Sequence, residues 1–231
     1  MPRILQGLTI VSALFAAACG TDRPATSDSA TTVSAATVSA ATVNADTVAL
    51  TPAVLAVFAP LPAQMDAPGR PLTEAKIALG RRLFYETLLS DGHNVSCNSC
   101  HALNGWGADG RRVSLGHDGR AGSRNSPSAY NAAGHFAQFW DGRAADVEAQ
   151  AKGPILNPVE MGMSDSAAVL AHLRASPSYV AAFRAAFVGQ GQPVTYDNLG
   201  FAIGAFERRL VTPARWDRFL SGDSAALSAP E

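Results

Sequence analysis

Two cysteines separated by two residues, with a histidine directly after the second, constrain this chain more than any other feature: Cys97-Asn98-Ser99-Cys100-His101. That spacing lets one turn of backbone carry both thiols to the vinyl groups of a porphyrin and brings the adjacent imidazole under its iron. The motif therefore predicts covalently bound haem c, attached through Cys97 and Cys100, with His101 as the proximal iron ligand. A redox dithiol of the same spacing does not require the histidine. Half of a zinc site requires a second ligand pair, and no such pair is present in the sequence.

The chain has 231 residues, three cysteines and a formal net charge of -1. Neither a disulfide framework nor a nucleic-acid partner is expected from such a balance. The opening stretch, MPRILQGLTIVSALFAAAC, has a basic residue at Arg3, an apolar run and small residues before Cys19, which is the order of an export signal. AAAC at the expected cleavage point resembles a lipoprotein box, so residues 1–19 are read as a signal of lipoprotein type and Cys19 as the lipidated residue. An ordinary cleaved signal is the alternative. Both place the protein outside the cytoplasm, in the periplasm, with lipid anchoring to a bacterial membrane under the first. Export agrees with the motif, because c-type haem is attached outside the bacterial cytoplasm.

Residues 20–56 cycle through Ala, Thr, Ser and Val and offer few large side chains to bury, so they are read as a tether. The folded domain is placed at 57–231. Its expected fold class is mostly α, a cytochrome c-like haem domain with long irregular loops. Thr73 is read as a helix cap before a run in which Ile77, Phe84 and Leu88 share a face. Ser164 is read as the cap of a helix with Val169, Leu170 and Leu173, and Pro177 as the start of one with Tyr179, Val180, Phe183 and Phe187. Thr195 opens the clearest helix, striped by Leu199, Ile203, Phe206 and Leu210, with Pro213 as its expected end. Residues 104–142 are rich in Gly, Asn, Asp and Ser and read as a long loop built around a ligand, and no strand pattern stands out.

The sixth position on the iron decides between carrier and catalyst, because a permanent strong ligand excludes substrate. His117, His135, Met161 and Met163 are the candidates. A downstream Met gives the ligation of an electron-carrying cytochrome, and a loop His gives bis-His ligation. The residue types alone leave this open.

The text after the motif is more specific. SLGHDGRAGSRNSPSAYNAAGHFAQFWDGRA, AQAKGPILNPVEMG and LGFAIGAFERRLVTP, together with LGRRLF before the motif, closely resemble the N-terminal domain of bacterial di-haem cytochrome c peroxidases from about Leu79 to Leu220. The resemblance implies that His117 is a distal iron ligand in the resting oxidised enzyme and leaves on activation. Its loop would then be mobile, and Gly116, Gly119 and Gly122 make movement reasonable. Glu160 in VEMG resembles the acid-base residue that moves a proton between the peroxide oxygens, and Gln150 its hydrogen-bonding companion. Trp140 in FWDGR matches a tryptophan lying between two haems, although a buried Trp is more often core. Asn125 in SRNSP resembles a ligand of an interface calcium ion. His135, His93 and His172 keep an ordinary surface reading.

The family carries a second C-x-x-C-H on a C-terminal domain, and this chain ends at Glu231 without one, which reads as truncation. The resemblance also implies hydrogen peroxide as substrate, a reduced cytochrome c or other small redox protein as donor, the missing haem domain as partner and a homodimer. Peroxide reduction takes two electrons, and a lone haem iron supplies one, so the isolated chain is expected to be poorly active. The rival readings are an electron-transfer cytochrome with Met161 or Met163 on iron, a relative of the methylamine-utilisation maturation enzyme that oxidises a protein side chain, and a lipid-anchored docking module.

Overall fold

The computed structural model describes residues 51–228; the export-like segment with Cys19 and most of the Ala/Thr/Ser/Val tract lie outside the described residues. The tract's last residues form a short turn, α1 (Pro52–Leu55), capped by Thr51. Seven further helices follow: α2 (Glu74–Phe84), α3 (Cys97–Cys100), α4 (Val147–Leu156), α5 (Ser166–Ala175), α6 (Pro177–Ala186), α7 (Tyr196–Glu207) and α8 (Arg215–Leu220). Among the described residues there is no strand, only the isolated bridges Leu115–Ala121 and Gln138–Ala144, so the mostly α expectation holds. Residues 104–142 contain nothing longer than 3-10 turns.

The capping chemistry explains where the helices begin. Thr73 accepts a hydrogen bond from the Lys76 N–H at 3.3 Å, and Thr195 from the Asn198 N–H at 3.1 Å, each satisfying an otherwise unpaired donor of the first turn. The cap of α5 is Asp165 and not Ser164. Its carboxylate accepts from the Ala168 N–H at 2.8 Å, and a negative charge suits the positive end of the helix dipole. Pro177 does open α6, which buries Tyr179 and Phe183.

Two helices end earlier than their apolar stripes imply. α2 stops at Phe84, so Leu88 leaves its face and falls in a 3-10 turn whose buried residue is Leu89. α7 stops at Glu207, well before Pro213, because neighbouring segments capture the next carbonyls. Met65 N–H donates to the Arg208 carbonyl at 2.9 Å and Asn131 N–H to that of Leu210 at 2.7 Å. Leu210 stays buried without being helical.

α7 sits centrally, packed chiefly on α2 and α4, with α6 covering α2. Leu79, Leu83, Phe84, Phe183, Leu199 and Ile203 are fully buried there, each worth on the order of 1.5–3 kcal/mol. The α2–α7 crossing is close enough to require glycine: a Cβ on Gly80 would lie 1.7 Å from the Ala202 carbonyl oxygen. On the other flank, Arg208 at the end of α7 grips Glu148 of α4 in a buried bidentate pair, Nε–Oε1 2.8 Å and Nη2–Oε2 3.0 Å. These contacts hold α4 and α7 as two walls of the site.

Candidate haem site

One helical turn carries the motif. Ser96 N–H donates to Ser99 Oγ at 2.9 Å, and the His101 N–H closes the turn on the Cys97 carbonyl at 2.9 Å. Asn98 Oδ1 accepts from the Leu103 N–H at 3.1 Å and so turns the chain out of the helix. Cys97 and Cys100 are free thiols rather than a disulfide. Burial pushes the Cys97 thiol up to about 12 and raises that of Cys100. A redox dithiol needs the opposite shift, toward thiolate.

The imidazole of His101 is oriented chiefly through Nδ1. Nδ1 lies 2.9 Å from the Pro127 carbonyl, to which it donates as the neutral tautomer. Ser126 Oγ lies 3.1 Å from Nδ1 and 3.4 Å from Nε2. Burial holds the imidazole below its ordinary pKa despite the carbonyl, which favours the neutral form a metal requires.

Cys97, Cys100 and His101 open onto a cavity of about 420 Å³. Trp140, Gln150, Glu160 and Asn125 line the same space, with apolar wall from Ala129, Val147, Pro154 and Met161. The donor set fits haem c: two thiols for thioether bonds, one neutral imidazole nitrogen for iron, and a largely apolar cradle. A buried carboxylate oxygen of the wall, Glu207 Oε2, also lacks any hydrogen-bond partner within the protein. A family model described as di-haem cytochrome c peroxidase matches residues 74–225.

The chain belongs to the di-haem cytochrome c peroxidase family.

Within it, cytochrome c551 peroxidase of Pseudomonas aeruginosa is 46% identical over 185 residues, 79% of this chain and 53% of that protein. Methylamine utilization protein MauG of Methylorubrum extorquens is 40% identical over 161 residues, 69% of this chain and 45% of that protein. A solved MauG-like protein associated with microbial copper homeostasis superposes with a TM-score of 0.66 at 35% identity, covering 73% of this chain and 50% of its own. The chain spans about half the length of the curated relatives it matches. Membership in this peroxidase family implies haem c as cofactor.

Glu160, read above as the acid-base candidate, lines the cavity. Glu160 is half-buried, and burial raises its carboxyl above the usual range while the nearby Arg143 opposes the shift. Its Oε1 accepts from Asn157 Nδ2 at 2.9 Å. The amide that bonds Glu160 is therefore that of Asn157, whereas Gln150 lines the cavity. Trp140 lines the cavity, and its indole N–H donates to the Asn125 carbonyl at 2.8 Å. Asn125 Nδ2 in turn donates to the Arg111 carbonyl at 2.6 Å.

His117 is not among the residues lining the cavity. Its ring packs on Gly162, where a Cβ would lie 2.2 Å from Nε2, and its backbone N–H donates to the Glu160 carbonyl at 2.8 Å. Of the three loop glycines, only Gly119 has a left-handed φ, +81°. Gly116 serves close approach instead, since a Cβ there would lie 1.9 Å from the Val159 carbonyl oxygen. The His117 and Glu160 segments are thus tied to each other. Of the two methionines, Met161 lines the cavity and Met163 does not; both are buried. His135 is exposed away from it, and His93 and His172 meet each other edge to face, 5.0 Å between ring centres.

Asn157, Ser126 and Glu207 are site residues that the motifs left unread. Glu207 had a signal, because a glutamate four residues after Ile203 continues the apolar stripe of Leu199 and Ile203. Asn157 and Ser126 carry no comparable periodic signal.

Proposed function

We propose that this chain is the peroxide-reducing domain of a cytochrome c peroxidase, reducing hydrogen peroxide to water with electrons from a reduced c-type cytochrome or similar donor. The observation that carries it is the convergence of Cys97, Cys100, His101, Glu160 and Gln150 on one cavity, in a chain of this family. Cys97 and Cys100 would hold the haem by thioethers and His101 through Nε2. The haem supplies the iron at which peroxide is reduced and one of the two electrons.

The residues around it handle protons and position. With Oε1 occupied by Asn157, Glu160 takes a proton at Oε2 from the inner peroxide oxygen and returns it to the outer one, so that water leaves rather than hydroxide. Gln150 presents an amide that orients peroxide without competing for the proton. The indole of Trp140, on the cavity wall, supports a role in electron entry from a partner haem. The role of His117 as a displaceable ligand is carried by its place in the family motif, its ring resting on Gly162 at the edge of the Glu160 segment. Asn125 Oδ1, left over by its Nδ2 bond, suits a calcium ion. Among the described residues no three His, Cys, Asp or Glu side chains gather to hold a metal. The export order of the N-terminus and Cys19 supports a periplasmic, lipid-anchored protein. No helix among the described residues is long and apolar enough to cross a membrane.

The test is single-turnover mixing of the reduced, haem-loaded protein with peroxide. Glu160→Gln is expected to slow the reaction by about 100-fold or more while leaving the haem spectrum intact. An unchanged rate removes Glu160 from the mechanism. A second reading, an electron-carrying cytochrome, is kept by Met161 in the cavity wall. A long-wavelength ferric band that disappears in Met161→Ala would favour it.

A further inference from the structure

Glu207 is the one buried carboxylate on the cavity wall that neither the fold nor the proposed chemistry employs. It ends α7 on the same face as Leu199 and Ile203, and only 8% of it is exposed. Oε2 is fully buried and has no hydrogen-bond partner. The cavity that Glu207 lines is the one into which Cys97 projects, and the two are near enough for a charge on Glu207 to raise the Cys97 thiol.

The charges packed around Glu207 leave it without a counter-ion. From α4 comes Glu148, a second buried carboxylate, whose stem lies against Gly204 one turn earlier on α7. The adjacent guanidinium, Arg208, is committed to Glu148 and to the Asp66 carbonyl. From α3 the titratable groups are Cys97 and Cys100, which thioether formation makes uncharged. The ionisable groups of α2 are engaged elsewhere or exposed: Glu74 pairs with Arg209, Lys76 donates to the Pro71 carbonyl, Arg82 donates to Ser178, and Arg81 is exposed. On α5, His172 meets His93 and Arg174 donates to the Val194 carbonyl. Burial and Glu148 together push the Glu207 carboxyl up to about 8, with Arg208 only partly opposing. Glu207 thus holds its proton well above the ordinary carboxyl range, where a nearby change of charge can shift it.

We propose that Glu207 is a redox-linked proton site of the haem cavity, taking up one proton from solvent when the bound haem gains an electron and releasing it when the electron leaves. The inference rests on the haem reading above. Its balance is one electron from the donor onto the iron and one proton from water onto the Glu207 carboxylate, with the reverse on oxidation. The cause is electrostatic: a ferric haem carries one more positive charge than a ferrous one, so it favours the carboxylate, and reduction favours the acid. Buried in apolar surroundings and unpaired, Glu207 responds to that change where a solvated or ion-paired carboxylate would not. Such linkage keeps the net charge of the cavity constant during electron transfer and makes the midpoint potential depend on pH.

The experiment is spectroelectrochemical titration of the haem-loaded protein from about pH 5 to about pH 9. Haem staining after denaturing electrophoresis reports separately whether covalent haem is present, so failure of the haem reading is distinguishable from failure of this one. With haem attached, the wild-type potential is expected to fall as pH rises, by up to about 59 mV for each tenfold drop in proton concentration. Glu207→Gln, which mimics the neutral acid, is expected to hold the potential flat near the wild-type low-pH value. Glu207→Asp, which keeps a carboxyl, retains a sloping segment displaced along the pH axis. A slope unchanged in Glu207→Gln overturns the proposal. So does a wild-type potential independent of pH, or a reduction that takes up no proton by indicator dye in the wild-type protein, results that need no variant to fold.

Discussion

Single side chains set the proton economy of this cavity. Asn157 holds Glu160 by one hydrogen bond to Oε1, and that bond favours the charged form while burial favours the acid. Asn157→Ala should therefore raise the Glu160 carboxyl further and move the basic requirement of the peroxide reaction to higher pH, read from its pH–rate profile. Glu207 has a measurable consequence for stability as well. Its folded-state value of about 8 lies above the ordinary carboxyl value, so the folded state holds a proton that the unfolded state has already lost. That contribution to stability is complete at low pH and is lost as pH rises toward about 8. Urea unfolding at a series of pH values should show the decline in wild type and a flatter profile in Glu207→Gln. At His117 the expectation is spectroscopic: His117→Ala should convert the resting ferric haem from a six-coordinate to a five-coordinate or water-ligated spectrum.

At the scale of elements, the site depends on close contacts between helices. Gly80 lets α2 meet the α7 backbone at Ala202, where neither side can yield. Gly80→Ala should destabilise the domain by about 1 to 3 kcal/mol in thermal or urea unfolding, with loss of the cavity geometry. The Glu148–Arg208 pair joins α4 to α7, and Arg208 is buried. Glu148→Ala strands that guanidinium and should destabilise by about 3 to 5 kcal/mol, whereas changing both partners to apolar residues should recover much of the loss. Caps and stripes made α2, α5, α6 and α7 readable, but α4 was not. Its Asp146 cap and the buried Val147, Ala151 and Ile155 at steps of four follow the rules, yet Gly153-Pro154 near its end reads as a break. Pro154 stands in the last turn, two residues before the end of α4, and its carbonyl accepts from the Asn157 and Met161 N–H groups.

For the molecule as a whole, local chemistry and long-range placement divide cleanly. The haem motif, the mostly α class, the family and the starts of α2, α6 and α7 follow from the sequence by itself, since each depends on residues within a few positions of one another: a fixed thiol spacing, a cap three residues before the N–H it serves, an apolar repeat. What only the tertiary structure decided is which distant groups share the cavity. It brings Pro127 to His101, places Glu160 and Glu207 on the wall of the cavity that Cys97 enters and leaves His117 against Gly162. It also ends α7 at Glu207 by giving the next carbonyls to Met65 and Asn131. The physical reason is that burial and its pKa consequences are properties of the packed surroundings, which arrive from segments many residues away and leave no local period in the chain.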